Sequence, residues 1–257
     1  MSRIDQLFEK KQKEVLTIYF TAGHPQLNDT VDIIRHLDEA GADLIEVGMP
    51  YSDPLADGPV IQQSSEKALA NGMNLNLLFE QLTKVRNHSQ IPMVLMGYYN
   101  QVLQYGIERF CAEANRVGVD GLILPDLPLE EYYENCKSTF DKYGLTCTFL
   151  VTPSSSNERI KELDNASSGF LYAVSSHSIT GGNAATQLTD YGAKLDALSL
   201  KNPIQVGFGI RDFTSFQNAC EIAHGGIIGS AFIRALEQKG ELKTKINGFI
   251  KSIRQHT

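Results

Sequence analysis

The sequence predicts an α/β fold, a single-domain (β/α)8 barrel over residues 1–257 with an additional N-terminal helix ahead of the first strand. Three observations lead there. Apolar runs too short for helices recur eight times with amphipathic stretches between them. Each run is bounded by Gly, Pro or Asp, as a buried parallel strand is. The chain has 257 residues, and about 250 is typical of such a barrel. No linker, low-complexity tract or block of charge divides it. An open doubly wound sheet is the alternative, because alternation alone does not prove closure.

The extra helix covers residues 3–12. The eight strands follow at 16–21, 43–48, 93–97, 121–125, 146–151, 169–175, 204–208 and 226–229, each rich in Ile, Val, Leu or Phe. Between the first two, Val31, Ile34, Leu37 and Ala40 recur at helical spacing over 28–40, and Gly41 ends the helix. Further helices are expected at 61–70, 75–86, 107–117, 129–143, 157–166, 189–199, 213–222, 230–239 and 241–254.

Composition narrows the function. With 23 Lys plus Arg against 30 Asp plus Glu, the net charge is −7. That argues against a nucleic-acid binder, which needs a basic face for phosphates, but leaves room for local cations on a small phosphorylated ligand. A hydrophobic share of 42% excludes disorder. No apolar stretch approaches the roughly 18 residues of a membrane span. The first residues lack the apolar segment of a signal peptide. Cys111, Cys136, Cys147 and Cys220 are widely spread, so a reduced, cytoplasmic setting is expected, without a zinc or redox pair.

Active sites of such barrels lie at the C-terminal ends of the strands. On the second strand, period-two alternation turns Ile45 and Val47 toward the helices and Leu44 and Glu46 inward. A carboxylate in an apolar interior has a raised pKa, the condition for acid–base work near neutrality. The bland alternative, an interior Glu paired with a barrel cation, has no cation to use at the expected strand positions. The loop 48–59 holds Pro50, Pro54 and Gly58, so it is not helical, and it offers Asp57 as a second carboxylate. Asp57 can equally be an N-cap for the helix after Pro59, and Asp53 a turn residue. Tyr172 shares inward parity with Phe170 and Val174, as a core tyrosine or as a group that orients Glu46.

The later strand ends favour an anion. Gly181 and Gly182 follow the sixth, Gly207 and Gly209 the seventh, and Gly229 with Ser230 the eighth. Together they let backbone N–H groups converge on a phosphate, although each glycine singly also serves turns. No Lys stands at an expected strand end, which argues against a Schiff-base aldolase. The six histidines form no ligand-spaced pair. Any carbon–carbon cleavage must therefore find its electron sink in the substrate.

The runs Phe20-Thr21-Ala22-Gly23-His24-Pro25, Leu44 through Gln62, Met96-Gly97-Tyr98-Tyr99-Asn100, Pro125-Asp126-Leu127-Pro128, Gly207-Phe208-Gly209-Ile210 and Gly229-Ser230-Ala231 together resemble the tryptophan synthase alpha subunit family. The resemblance runs in order from the first strand to the eighth. It implies a TIM barrel that cleaves indole-3-glycerol phosphate to indole and glyceraldehyde 3-phosphate, a lyase of tryptophan biosynthesis. It implies no cofactor on this subunit, with pyridoxal phosphate on a beta subunit that receives the indole in an α2β2 heterotetramer. By position, Glu46 resembles the proton-transferring acid/base and Asp57 the carboxylate that accepts the indole N–H. Tyr172 matches the tyrosine near that Glu, and Phe20 an indole-contacting wall. Gly181, Gly209, Gly229 and Ser230 match the phosphate cradle. Thr180 matches a threonine of a mobile loop that closes over Asp57. The partner surface would include the Asp53 loop, the Asn100 region and the loop after the sixth strand. Where the family commonly reads Gly-Val-Thr-Gly, this chain reads Ser178-Ile179-Thr180-Gly181. A different phosphate-binding barrel enzyme and a non-catalytic binding subunit are the competing readings.

Overall fold

The computed structural model describes residues 2–175 and 184–255. Its strands are β1 (Val15–Thr21), β2 (Leu44–Gly48), β3 (Met93–Met96), β4 (Gly121–Ile123), β5 (Thr146–Thr148), β6 (Leu150–Val151), β7 (Leu171–Val174), β8 (Ile204–Gly207) and β9 (Gly225–Ile228). All pair in parallel in the order β5-β4-β3-β2-β1-β9-β8-β7-β6. Nine strands replace the expected eight because the fifth is interrupted at Phe149. There the backbone N–H leaves the ladder for the Ser167 hydroxyl at 3.1 Å. The first half pairs with β4 and the second with β7, so residues 146–151 carry the ring round from one edge to the other. The doubly wound alternative falls on that pairing.

The barrel has two apolar layers. Leu16, Ile18, Phe20, Ile45 and Val47 pack outward against the helices. Val15, Tyr19, Leu44, Val94, Ile123, Phe170 and Tyr172 fill the interior. This is the period-two alternation of every strand, and each fully buried large side chain contributes about 1.5–3 kcal/mol. The N-terminal helix runs Arg3–Lys10, opened by a Ser2–Asp5 capping box. It covers the N-terminal end of the barrel, where Ile4 and Phe8 join the interior cluster and Arg3 pairs with Asp120 at 2.8 Å. With that end covered, the opposite end is the one open to a ligand.

Most outer helices lie where periodicity places them, although the one expected at 189–199 runs Ala184–Asp196, and three further differences stand out. Residues Tyr99–Tyr105 form an unanticipated helix. Fewer than two turns carry no readable period, and this one is started in part by a distant group, since Tyr99 N–H donates to Asp126 Oδ1 at 2.8 Å. The stretch expected at 129–143 contains a π-helical segment, Tyr132–Cys136. The stretch expected at 75–86 ends as an α-helix at Leu82. Among the described residues no helix is long and apolar enough to cross a membrane.

Candidate active site

At the C-terminal mouth of the barrel lies a cavity of about 310 Å³. Glu46 reaches it from β2 and is 1% exposed. Its Oε2 has no hydrogen-bond partner among the described residues, so the paired-cation reading of this residue fails. Burial, and secondarily the Asp57 charge, push its pKa up to about 8. Glu46 is therefore largely protonated at neutral pH.

Asp57 faces the same cavity from the loop after β2. It is not a helix cap. The helix Pro59–Ala70 has Gly58 at its N-cap and Pro59 at its first position, and the Asp57 carboxylate instead accepts a hydrogen bond from the Tyr98 hydroxyl at 3.1 Å. Burial raises its pKa to about 6, against the lowering effect of that bond. Two carboxyl groups thus face one cavity in different charge states near neutrality, one neutral and one ionised.

The walls are aromatic. Tyr172 points inward from β7 as parity requires and lines the cavity beside Phe208, with ring centroids 6.2 Å apart. Among the described residues no hydrogen bond joins it to Glu46. Phe208 adopts φ +69° and Gly209 φ +75°. A left-handed bulky residue is uncommon, and the turn is held by Ser175, whose hydroxyl donates to the carbonyls of Gly207 at 3.1 Å and Phe208 at 2.7 Å. Phe20 is not a wall. It lies in the outer layer against the helices, because it shares parity with Leu16 and Ile18. The wall on β1 is Tyr19, whose Cα pairs with that of Glu46. Gly48 makes room for it, since a Cβ there would lie 2.2 Å from Tyr19 Oη.

Gly209, Gly229 and Ser230 line the far side of the cavity, as the glycine pattern anticipates. Gly229 presses on Tyr19, which a Cβ would meet at 3.2 Å. Arg211 and Arg234 also line this end and bring cations where an anion would sit. Sequence reasoning missed both, although Arg234 stands one helical turn from Ser230 and so on the same face. Thr180, Gly181 and the Ser178-Ile179 departure lie outside the described residues. Asp53 stands on the outer rim and accepts from the Ser52 hydroxyl at 2.9 Å. Asn100, also exposed, donates to the Tyr51 hydroxyl at 3.2 Å, so the structure brings the loops after β2 and β3 together.

A family model described as tryptophan synthase alpha chain matches residues 6–256. The tryptophan synthase alpha chain of Flavobacterium psychrophilum is 50% identical over 255 residues, covering 98% of this chain and 100% of the relative. That of Christiangramia forsetii is 48% identical, covering 100% of each. The crystal structure of tryptophan synthase subunit alpha from Legionella pneumophila superimposes with a TM-score of 0.90 at 35% identity, over 99% of this chain and 97% of that one.

Proposed function

The chain belongs to the tryptophan synthase alpha chain family, whose reaction is the cleavage of indole-3-glycerol phosphate to indole and glyceraldehyde 3-phosphate, and from that premise we propose how its residues perform the cleavage. The observation that carries the proposal is the pair of carboxyl groups on one cavity, Glu46 buried with no partner for Oε2 among the described residues and Asp57 held by the Tyr98 hydroxyl. That arrangement favours the proton on Glu46 and the charge on Asp57. The indole lies among Tyr19, Tyr172 and Phe208. Asp57 accepts the indole N–H, and neutral Glu46 gives its proton to C3. The ring becomes an iminium whose positive charge the Asp57 carboxylate stabilises in a site of low dielectric. Glu46, now a carboxylate, takes the proton of the hydroxyl on the adjoining side-chain carbon. That carbon becomes an aldehyde as the bond to C3 breaks, and the bonding pair returns to the ring to neutralise the iminium. One proton leaves Glu46 and one returns.

The protonated indole is thus the electron sink, so the cleavage calls for no cofactor on this subunit. Gly209, Gly229 and Ser230 hold the phosphate through backbone N–H groups, with Arg211 and Arg234 adding charge. Tyr172 walls the ring and keeps water from the carboxyl groups. A beta subunit carrying pyridoxal phosphate takes up the indole, docking on the rim with Asp53 and Asn100, in an α2β2 assembly. The four buried free cysteines agree with a cytoplasmic setting. The test is indole release from indole-3-glycerol phosphate by the chain alone and with a beta subunit. No indole in either arm overturns the proposal.

A further inference from the structure

On the reading that Asp57 accepts the indole N–H, we propose that Tyr98 is a positioning residue for that carboxylate, fixing its direction and the loop that carries it. Tyr98 follows β3 and is 8% exposed. Its hydroxyl has two partners of fixed sense. The backbone N–H of Ala56 donates to it at 2.9 Å, which leaves its own proton for Asp57 Oδ2 at 3.1 Å. One hydroxyl therefore holds two consecutive residues of the catalytic loop, one through the backbone and one through the carboxylate.

The ring behind that hydroxyl is itself held. Tyr51 stacks on it with centroids 5.0 Å apart and planes 26° apart. The Tyr98 N–H donates to Gln101 Oε1 at 3.0 Å, and Gln101 Nε2 donates to Pro50 O at 3.0 Å. The loops after β2 and β3 are pressed so closely that a Cβ on Gly97 would lie 2.5 Å from Met49 Cε. The helix that follows holds only the backbone of Asp57, where Gln62 Nε2 donates to its carbonyl at 2.9 Å; with Gly58 at its N-cap it gives the carboxylate no bond. Fixing a catalytic carboxylate through a group whose own ring is locked is what positions it for reaction.

The bond also has an electrostatic sense. An ionised carboxylate only accepts, so a hydroxyl donor favours the charged form and opposes the effect of burial. The other titratable groups facing Asp57 are Glu46 from β2, Tyr19 from β1 and Tyr172 from β7. None of the three donates to it in the described structure.

The experiment is Tyr98→Phe, which keeps the ring on Tyr51 and removes only the hydroxyl. The Asp57 carboxyl stretch is followed against pH by infrared difference spectroscopy and assigned by its loss in Asp57→Asn. We expect the Asp57 midpoint to rise by about one pH unit, as a lost bond to a charged group implies. The acid limb of the kcat profile should move with it, while kcat falls roughly tenfold and KM stays within about threefold. A purely structural tyrosine leaves the midpoint where it was, and that result overturns the proposal. If Tyr98→Phe is too unstable to titrate, 3,5-difluorotyrosine placed at position 98 is a stronger donor and should move the midpoint downward. No movement there is equally fatal. Because the infrared arm needs no substrate, a parent protein that releases no indole overturns the catalytic reading and still lets the midpoint decide the role of Tyr98.

Discussion

The phenol of Tyr172 on β7 fills the space that a side chain on Gly207 of β8 would need, since a Cβ there would lie 2.1 Å from Tyr172 Oη and 2.3 Å from its ring edge. The contact is with a ring locked inside the barrel, so it has little room to yield. Gly207→Ala is therefore expected to cost about 1–3 kcal/mol, as core overpacking does, and to lower activity by displacing the cavity wall. Combining it with Tyr172→Leu removes the colliding ring edge, and the double variant should be more stable than the sum of the single effects. Melting curves of all four proteins measure the coupling. Strict additivity shows that the two residues do not compete for the same space.

The two carboxyl groups set the pH dependence of cleavage. With Asp57 required as the anion and Glu46 as the acid, kcat/KM should follow a bell with an acid limb near pH 6 and an alkaline limb near pH 8. Asp57→Asn should abolish cleavage and leave the melting temperature nearly unchanged, because the amide oxygen still accepts from the Tyr98 hydroxyl but carries no charge for the iminium. Cleavage that survives the substitution would remove Asp57 from the reaction.

Strand parity was the most legible part of this chain. Alternation on β2 and β7 places Glu46 and Tyr172 inward from sequence alone, because one-residue shifts in a buried strand exchange its two faces. The same rule, applied to β1, would have selected Tyr19 and not Phe20, since 16, 18 and 20 share a face. What sequence could not show was contact between distant loops. Asp57 reads as a cap or a catalyst until Tyr98, 41 residues away, is seen to hold its carboxylate. The helix Tyr99–Tyr105 is started by Gln101, which accepts from the N-cap Tyr98 N–H, and by distant Asp126, and is too short to show a period. Arg211 directly follows the Gly207–Ile210 run and Arg234 lies one helical turn from Ser230, but the closing of the barrel is what brings the two to one end of the cavity.

Those two arginines make the phosphate end testable. Both side chains are exposed, so each should strengthen binding modestly and in a salt-dependent way. The double variant Arg211→Gln, Arg234→Gln is expected to raise KM about 5- to 30-fold at low ionic strength with kcat within twofold. The difference should shrink as salt is added. A KM that ignores both substitutions leaves phosphate recognition to the backbone alone.

The rim predicts how the partner is met. Asp53 stands away from the cavity, and among the described residues its carboxylate accepts only from its neighbour Ser52, so Asp53→Ala should leave ligand binding to the isolated chain unchanged. Half-maximal activation should then require roughly fivefold more beta subunit, the loss typical of one contributing interface residue. Titrating activity against the partner decides it, and superimposable curves would remove Asp53 from the interface.

Glu46 ties catalysis to stability. Replacing it by Gln keeps the shape and removes the proton transfer, so turnover should fall by about 10² to 10⁴-fold while substrate still binds. The effect on stability has the opposite sign. In the unfolded chain Glu46 ionises near its ordinary pKa of 4.5, but in the folded barrel burial holds it up to about 8. Between those values the folded state keeps a proton that the unfolded state has released, so the stability it gains from this group at low pH is lost as pH rises. The slope from one such group approaches 1.4 kcal/mol per pH unit. Above pH 8 both states are ionised and the loss is complete. Glu46→Gln cannot ionise, so its stability should fall less steeply than the parent's from pH 5 to 8, and it should be the more stable protein at pH 8. Denaturant unfolding of both proteins across that range measures the difference. Parallel curves would mean that Glu46 is solvated in the folded state, and the protonated acid on which the cleavage depends would be lost with it.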